Sequence, residues 1–204
     1  MATKLGLYNV ALLHVGERNL VATSDSVPSR FYLDDVYNAG FLDHVLSQGY
    51  WNFAMRQSEE TDDAEVTIGY AYSFTKPTDL IRLYNLYADS SLSTPLLRYE
   101  DKAGKWYAEQ DTLYAVYVSN DATSYGGLLS AWPQLFTDYA ALYLARMICN
   151  RIGASNKFGA LVEMEKLALR KALAVDGMDE PVRFPPTGGW VSSRRNGANQ
   201  SRAQ

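Results

Sequence analysis

"GYWNFAMRQSEETDDAE", residues 49–65, holds the transition on which the fold turns. Ahead of it apolar residues recur at helical spacing. Leu33, Tyr37, Phe41, Val45 and Gln48 form one stripe, Val36, Leu42 and Leu46 widen it, and Gly49 closes it. Beyond it the period drops to two: Val66, Ile68, Tyr70 and Tyr72 alternate. "IRLYNLY" (81–87), "KWYAE" (105–109) and "TLYAVYVS" (112–119) are equally β-rich. Between the two regimes stand two large aromatics, Trp51 and Phe53, and then five carboxylates without a base: Glu59, Glu60, Asp62, Asp63 and Glu65. A wide helix hands over to strands, so the fold class expected is α+β.

Working outward, Leu5, Tyr8, Leu12 and Val15 mark a first helix that Gly16 ends. Ser24, Asp25 or Ser26 is placed to cap the second helix, with Pro28 in its first turn. Helical spacing resumes after Ser130, an expected cap, with Pro133 in the first turn and Leu135, Tyr139, Leu142 and Arg146–Met147 following. After Gly153–Ala154, Ser155 is expected to cap a fourth helix ending at Gly177. Its inward residues would be Phe158, Leu161, Val162, Ala168, Ala172 and Val175. The short connection makes the last two helices an antiparallel hairpin. The architecture expected is a single domain over 1–178: a four-helix core, helical over about 4–57 and 130–177. One small antiparallel β-sheet is inserted at about 66–120. Residues 179–204 form an extended C-terminal tail rich in Pro, Gly, Ser and Arg, yet carrying Phe184 and Trp190. No internal repeat is visible.

The 204 residues suit one domain with its own core. A single cysteine, Cys149, excludes an intramolecular disulfide and fits a reducing compartment. No run approaches the roughly 18 apolar residues of a membrane span. The N-terminal stretch is broken by Asn9 and His14 and reads as a helix rather than a signal peptide. A net charge of −4 argues against a general nucleic-acid coat. It leaves open a protein that lets DNA pass without holding it.

The search for chemistry finds no phosphate loop, no His-Glu-x-x-His, no Cys-x-x-Cys and no serine-hydrolase elbow. His14 and His44 lie on different expected helices, and with one cysteine they do not make a zinc site. Cys149, beside Leu144, Met147 and Ile148, reads as a small core hydrophobe. The carboxylates Glu59–Glu65 invite comparison with a glycosidase pair, but an acid catalyst needs burial and a loop of like charges prefers water. Tyr70, Tyr72, Tyr84, Tyr87, Tyr114 and Tyr117 divide between sheet core and interface. The expectation is a protein without catalytic residues, cofactor or metal.

Four stretches carry a resemblance: "LGLYNVALLHVGER" (5–18), "PSRFYLDDVYNAGFLDHVL" (28–46) with "GYWNFAMRQ" (49–57), "YAYSFTKPTDLIRLYNLY" (70–87) and "GLLSAWPQLFTDYAALYLARMI" (127–148). Together they resemble the tail tubular protein A family, the head-to-tail adaptors of short-tailed bacteriophages. The likeness runs over about residues 4–175, and Trp51-Asn52-Phe53-Ala54 is its most specific piece.

The resemblance implies a ring of twelve copies that joins the portal protein to a tail nozzle protein similar to tail tubular protein B. Double-stranded DNA would pass through its channel. Such a protein belongs in the virion tail, assembled in the host cytoplasm, with no membrane partner. In that setting Trp51 and Phe53 are structural anchors at the exit of helix two, packing it against the helical hairpin. Phe184 and Trp190, with Arg183, Arg194 and Arg195, would dock the tail onto the portal. Glu59, Glu60, Asp62, Asp63 and Glu65 are candidates to face the channel, where sparse negative charge would let the duplex slide. A neck adaptor of long-tailed phages resembles the same core. A glycan-binding or weakly glycan-hydrolysing tail component, and a monomeric scaffold, are the other classes the sequence leaves open.

Overall fold

The computed structural model describes residues 2–65 and 68–179. The chain is mixed α and β, and its order follows from a few local decisions. α1 (Lys4–Val15) starts where the Thr3 hydroxyl accepts the Gly6 N–H at 3.1 Å. It stops at Gly16, whose φ of 82° is left-handed and whose N–H closes onto Leu12 and Leu13. Lys157 lies so close to Gly16 that a Cβ there would meet its Nζ at 2.7 Å. That ammonium donates instead to the Val15 carbonyl at 2.8 Å.

α2 (Pro28–Val36) has Pro28 at its first position but no side-chain cap. The expected cap among Ser24, Asp25 and Ser26 is not made. Asp25 turns back into its own loop and accepts the Val21 and Ala22 N–H groups at 2.7 and 3.1 Å. The single second helix is also corrected. It breaks at Ala39–Gly40, where Gly40 has φ 93°, and resumes as α3 (Leu42–Ser47). The stripe hides the break because Leu33, Phe41 and Val45 stay buried on both sides of it.

The helical region does not reach residue 57, and the acidic run is strand at Glu59 and Glu60 and loop from Asp62 to Glu65. After a tight turn at Asn52–Ala54, β1 (Met55–Thr61) pairs antiparallel with the chain's most buried strand. The strands that follow are β2 (Tyr72–Thr75), β3 (Leu80–Tyr87), β4 (Glu100–Lys102), β5 (Lys105–Ala108) and β6 (Thr112–Ser119). The register runs from Met55 opposite Val118 to Thr61 opposite Thr112. Glutamate is a poor strand former, but pairing with apolar β6 overrides local preference. The alternation at 66–72 yields a strand only from Tyr72: Val66 lies outside the described residues, and Ile68 is 99% exposed.

One sheet was expected and two form, β1-β6-β3 and β2-β5-β4. β6 explains why. Val118 joins the helical core, while Leu113, Ala115 and Tyr117, alternating with it, join a second core with Phe74, Leu86 and Trp106. The central strand β6 is therefore buried on both sides, while β1 at the sheet's edge leaves Gln57, Glu59 and Thr61 exposed.

α4 (Gln134–Cys149) is the central helix, with Pro133 at its N-cap position and Ser130 in the preceding turn rather than at the cap. Ala11 of α1 and Ala140, Ala141 and Ala145 of α4 are fully buried, and their small side chains let helices approach closely. Ser155 likewise opens a short turn, Ser155–Lys157, ahead of α5 (Phe158–Met178). Arg146 of α4 grips Glu165 of α5 through Nε and Nη2. Among the described residues no helix is long and apolar enough to cross a membrane.

Candidate assembly surfaces

The exit of α3 is built around one indole. Trp51 is 1% exposed, and its Nε1–H donates to the Leu46 carbonyl at 3.1 Å. Phe136 of α4 meets four rings edge to face: Trp51 at 4.7 Å, Trp132 at 4.7 Å, half-buried Phe53 at 4.9 Å and Tyr139 at 6.1 Å between ring centroids. Such pairs add about 0.5–1.5 kcal/mol each beyond area burial. Gly49 leaves room beside them, since a Cβ there would meet the Trp51 ring at 3.0 and 3.1 Å and push Leu173 of α5 aside. Asn52 completes the clamp. Its N–H donates to both Asp176 carboxylate oxygens at 3.1 Å, and its side-chain amide donates to the Asp176 carbonyl at 2.7 Å. Thus Trp51 and Phe53 hold α4 while Asn52 holds the end of α5.

A second junction ties helices to sheet. Arg82 of β3 donates to the Ser47 carbonyl at 2.9 Å and lies 4.2 Å over the Tyr50 ring. Nearby, Asp79 accepts from Arg56 at 2.9 Å, from Tyr117 at 3.2 Å and from Ser119. Burial pushes the Asp79 carboxyl up, but the Ser119 and Arg56 bonds outweigh it and hold it below the ordinary carboxylate range. Asp79 is the acid of Pro77-Thr78-Asp79, so the sequence displayed it without its partners.

The five acidic residues divide by role. Glu59 is exposed on β1, and Glu60 accepts from Ser58 at 2.5 Å. Asp62 accepts the Ser73 N–H at 3.1 Å. Asp63 accepts from Thr75 at 2.9 Å and pairs with Lys105 at 3.1 Å, and Glu65 pairs with the same lysine at 2.6 Å. Asp62, Asp63 and Glu65 therefore fasten β1 to the second sheet. Burial favours a raised Asp63 carboxyl, yet the Thr75 and Lys105 bonds bring it below the usual range. A crowd of free carboxylates is not what the run provides.

α5 differs from α4 in what it leaves open. Of its 21 residues only Leu161 and Ala172 are buried. Phe158 and Val175, expected to face inward, are exposed, as are Met164, Leu167, Leu173 and Met178. A shallow groove of about 430 Å³ runs between α1, α4 and α5, past His14, Leu142, Met164 and Leu167. A smaller one, of about 180 Å³, lies over Trp51, Phe53 and Phe136 beside Val175. The expected tail anchors, Phe184, Trp190, Arg183, Arg194 and Arg195, lie outside the described residues.

The larger cleft, about 610 Å³ beside Leu20, Tyr32 and Arg151, has rim charges of both signs, Glu17 and Asp25 against Arg18 and Arg151. His14 is pushed down by burial, partly opposed by Asp138, and His44 stacks on Tyr143 at 4.5 Å. Cys149 is buried, and that burial pushes its thiol up, away from nucleophilic use. Among the tyrosines, Tyr117 and Tyr87 are buried and Tyr84 is exposed. Among the described residues no three His, Cys, Asp or Glu side chains gather as metal ligands. No family model matches the chain, and no curated protein matches it.

Proposed function

We propose that this chain is the repeating subunit of a bacteriophage head-to-tail adaptor of the tail tubular protein A type. It would form a ring, of twelve copies in that family, between portal and tail nozzle around the DNA channel. The observation that carries the reading is the open flank of α5 that lines the grooves beside α4. A helix of 21 residues that buries only two of them, and exposes Met164, Leu167 and Val175, offers a broad apolar surface. Surfaces of this kind mark interaction sites. A ring subunit needs such a face because each copy presents one flank to the opposite flank of its neighbour until the circle closes. The clamp of Trp51, Asn52 and Phe53 supports the reading by fixing α5 against the core, so that the face is presented at one orientation.

The test is the mass of the purified chain by light scattering, alone and mixed with the portal protein of the same phage, with electron microscopy of the mixture. The expected result is a monomer alone and twelvefold rings on the portal. A chain that stays monomeric and leaves the portal bare would overturn the proposal.

A further inference from the structure

We propose that in the free subunit the chain's own segment after Asp179 folds back and seats Phe184 in the small groove between α3's exit, α4 and α5. The floor of this groove is Trp51, Phe53 and Phe136, and its wall is Ala172 and Val175 of α5. Its volume of about 180 Å³ is below the roughly 300–1,000 Å³ of small-molecule sites, which suits a single side chain. Ala172 is buried and Val175 is 45% exposed, so the wall is apolar and its Val175 end is uncovered among the described residues.

Three observations select the occupant. Asp179, the last described residue, itself lines the groove, so the following 25 residues leave from its rim. Phe184 is the first large aromatic of that segment and lies five residues on, within about 18 Å of reach at full extension. The charges also match. Asp176 and Asp179 edge the groove, and the segment carries Arg183, Arg194, Arg195 and Arg202 against Glu180 alone. Tethering supplies an effective concentration in the millimolar range, so a weak contact suffices. The groove then holds the segment until a partner competes for Phe184. This contact belongs to the free chain and is independent of ring formation.

The test uses the full chain with Cys149→Ala, keeping Phe184 and carrying Pro185→Cys with either Val175→Cys or Gly177→Cys. Gly177 lies outside the groove, has open space at its Cβ and is nearer to residue 185 in sequence. An undocked tail would therefore link to position 177 at least as fast. Seating predicts an intrachain disulfide at 175 that forms about tenfold faster than at 177, at dilutions where the chain is monomeric. Equal or slower linkage at 175 overturns the proposal, and linkage only between chains overturns it in favour of a second copy. In the chain without added cysteines, Phe184→Ala should raise amide hydrogen exchange at Asn52 and residues 173–179. Unchanged exchange there would also overturn it.

Discussion

Asp176 and Asn52, separated by 124 positions, hold each other through main chain and side chain, the carboxylate taking the Asn52 N–H and the Asp176 carbonyl taking the Asn52 amide. This contact fastens the last turn of α5 to the stretch where helix gives way to sheet. Asp176→Ala removes an exposed pair of bonds and is expected to cost about 0.5–1.5 kcal/mol. Faster amide exchange confined to Asn52 and residues 173–179 would mark local release. An unchanged exchange pattern would show that the packing of Trp51 fixes this end of α5 unaided.

Trp51→Ala empties the centre of the aromatic cluster and strands the Leu46 carbonyl that the indole serves. A loss of about 3–5 kcal/mol in denaturant melts is expected, the usual range for truncating a buried aromatic. Phe53→Ala, at the half-buried edge of the same cluster, should cost clearly less. Equal losses at the two positions would contradict the asymmetry in burial.

Acid should weaken the fold through identifiable carboxylates. Burial alone would raise Asp34, Asp63 and Asp79. Bonds from Arg30, Lys4 and Tyr8 to Asp34, from Thr75 and Lys105 to Asp63, and from Ser119 and Arg56 to Asp79 hold all three low. Each therefore binds its proton more weakly folded than unfolded. The stability they contribute is complete above the unfolded value of about 3.9 and is lost as pH falls through the lower folded values. Asp79→Asn should destabilise the protein at neutral pH, by about 1–3 kcal/mol, and flatten its loss of stability on acidification. Parallel urea-midpoint curves for the two proteins between pH 6 and pH 3 would refute this.

Much of the fold was legible because apolar period and burial coincide in α1, α4, β5 and β6. Where they part, the reading failed for physical reasons. Glu59 and Glu60 resist strand prediction by composition, yet β6 supplies the partner that makes β1. Gly40 breaks the second helix without disturbing the phase of Phe41 and Val45, so no change of period announces it. Phe158 and Val175 fit an inward stripe, but helical spacing is the same whether a face meets its own core or another chain. The clamp and the Asp79 cluster were on view in Trp51-Asn52-Phe53-Ala54 and Pro77-Thr78-Asp79. Their partners, Asp176, Arg56 and Ser119, are brought there only by long-range folding.

The acidic run separates two roles by residue. Asp63→Lys places a cation beside Lys105 and removes its bond, so the junction with the second sheet should loosen and thermal stability should fall. Glu59→Lys, on the exposed side of edge strand β1, should change stability by no more than about 0.5 kcal/mol. If that edge faces the channel of an assembled ring, the same change slows DNA release. Added salt then partly restores the rate, because the field of a surface charge reaches only about 8 Å at physiological ionic strength. Release kinetics that ignore Glu59→Lys would place the edge elsewhere.

The open flank of α5 offers the sharpest separation of folding from assembly. Leu167 is 52% exposed in the groove with Met164 and Leu142, so in the monomer a polar substitute would stay in water. Leu167→Glu is therefore expected to leave the denaturant midpoint within the range of about 0.5 kcal/mol typical of surface changes. At a subunit interface the same carboxylate would be stripped of water without a partner, which costs several kcal/mol per copy. A ring multiplies that penalty at every contact, so rings on the portal should disappear while the folded monomer persists. Light scattering and electron microscopy of the variant with portal, set beside its urea melt, distinguish the outcomes. Rings that form normally would show that α5 faces outward in the assembly. A variant that unfolds would show that this face is part of the core after all.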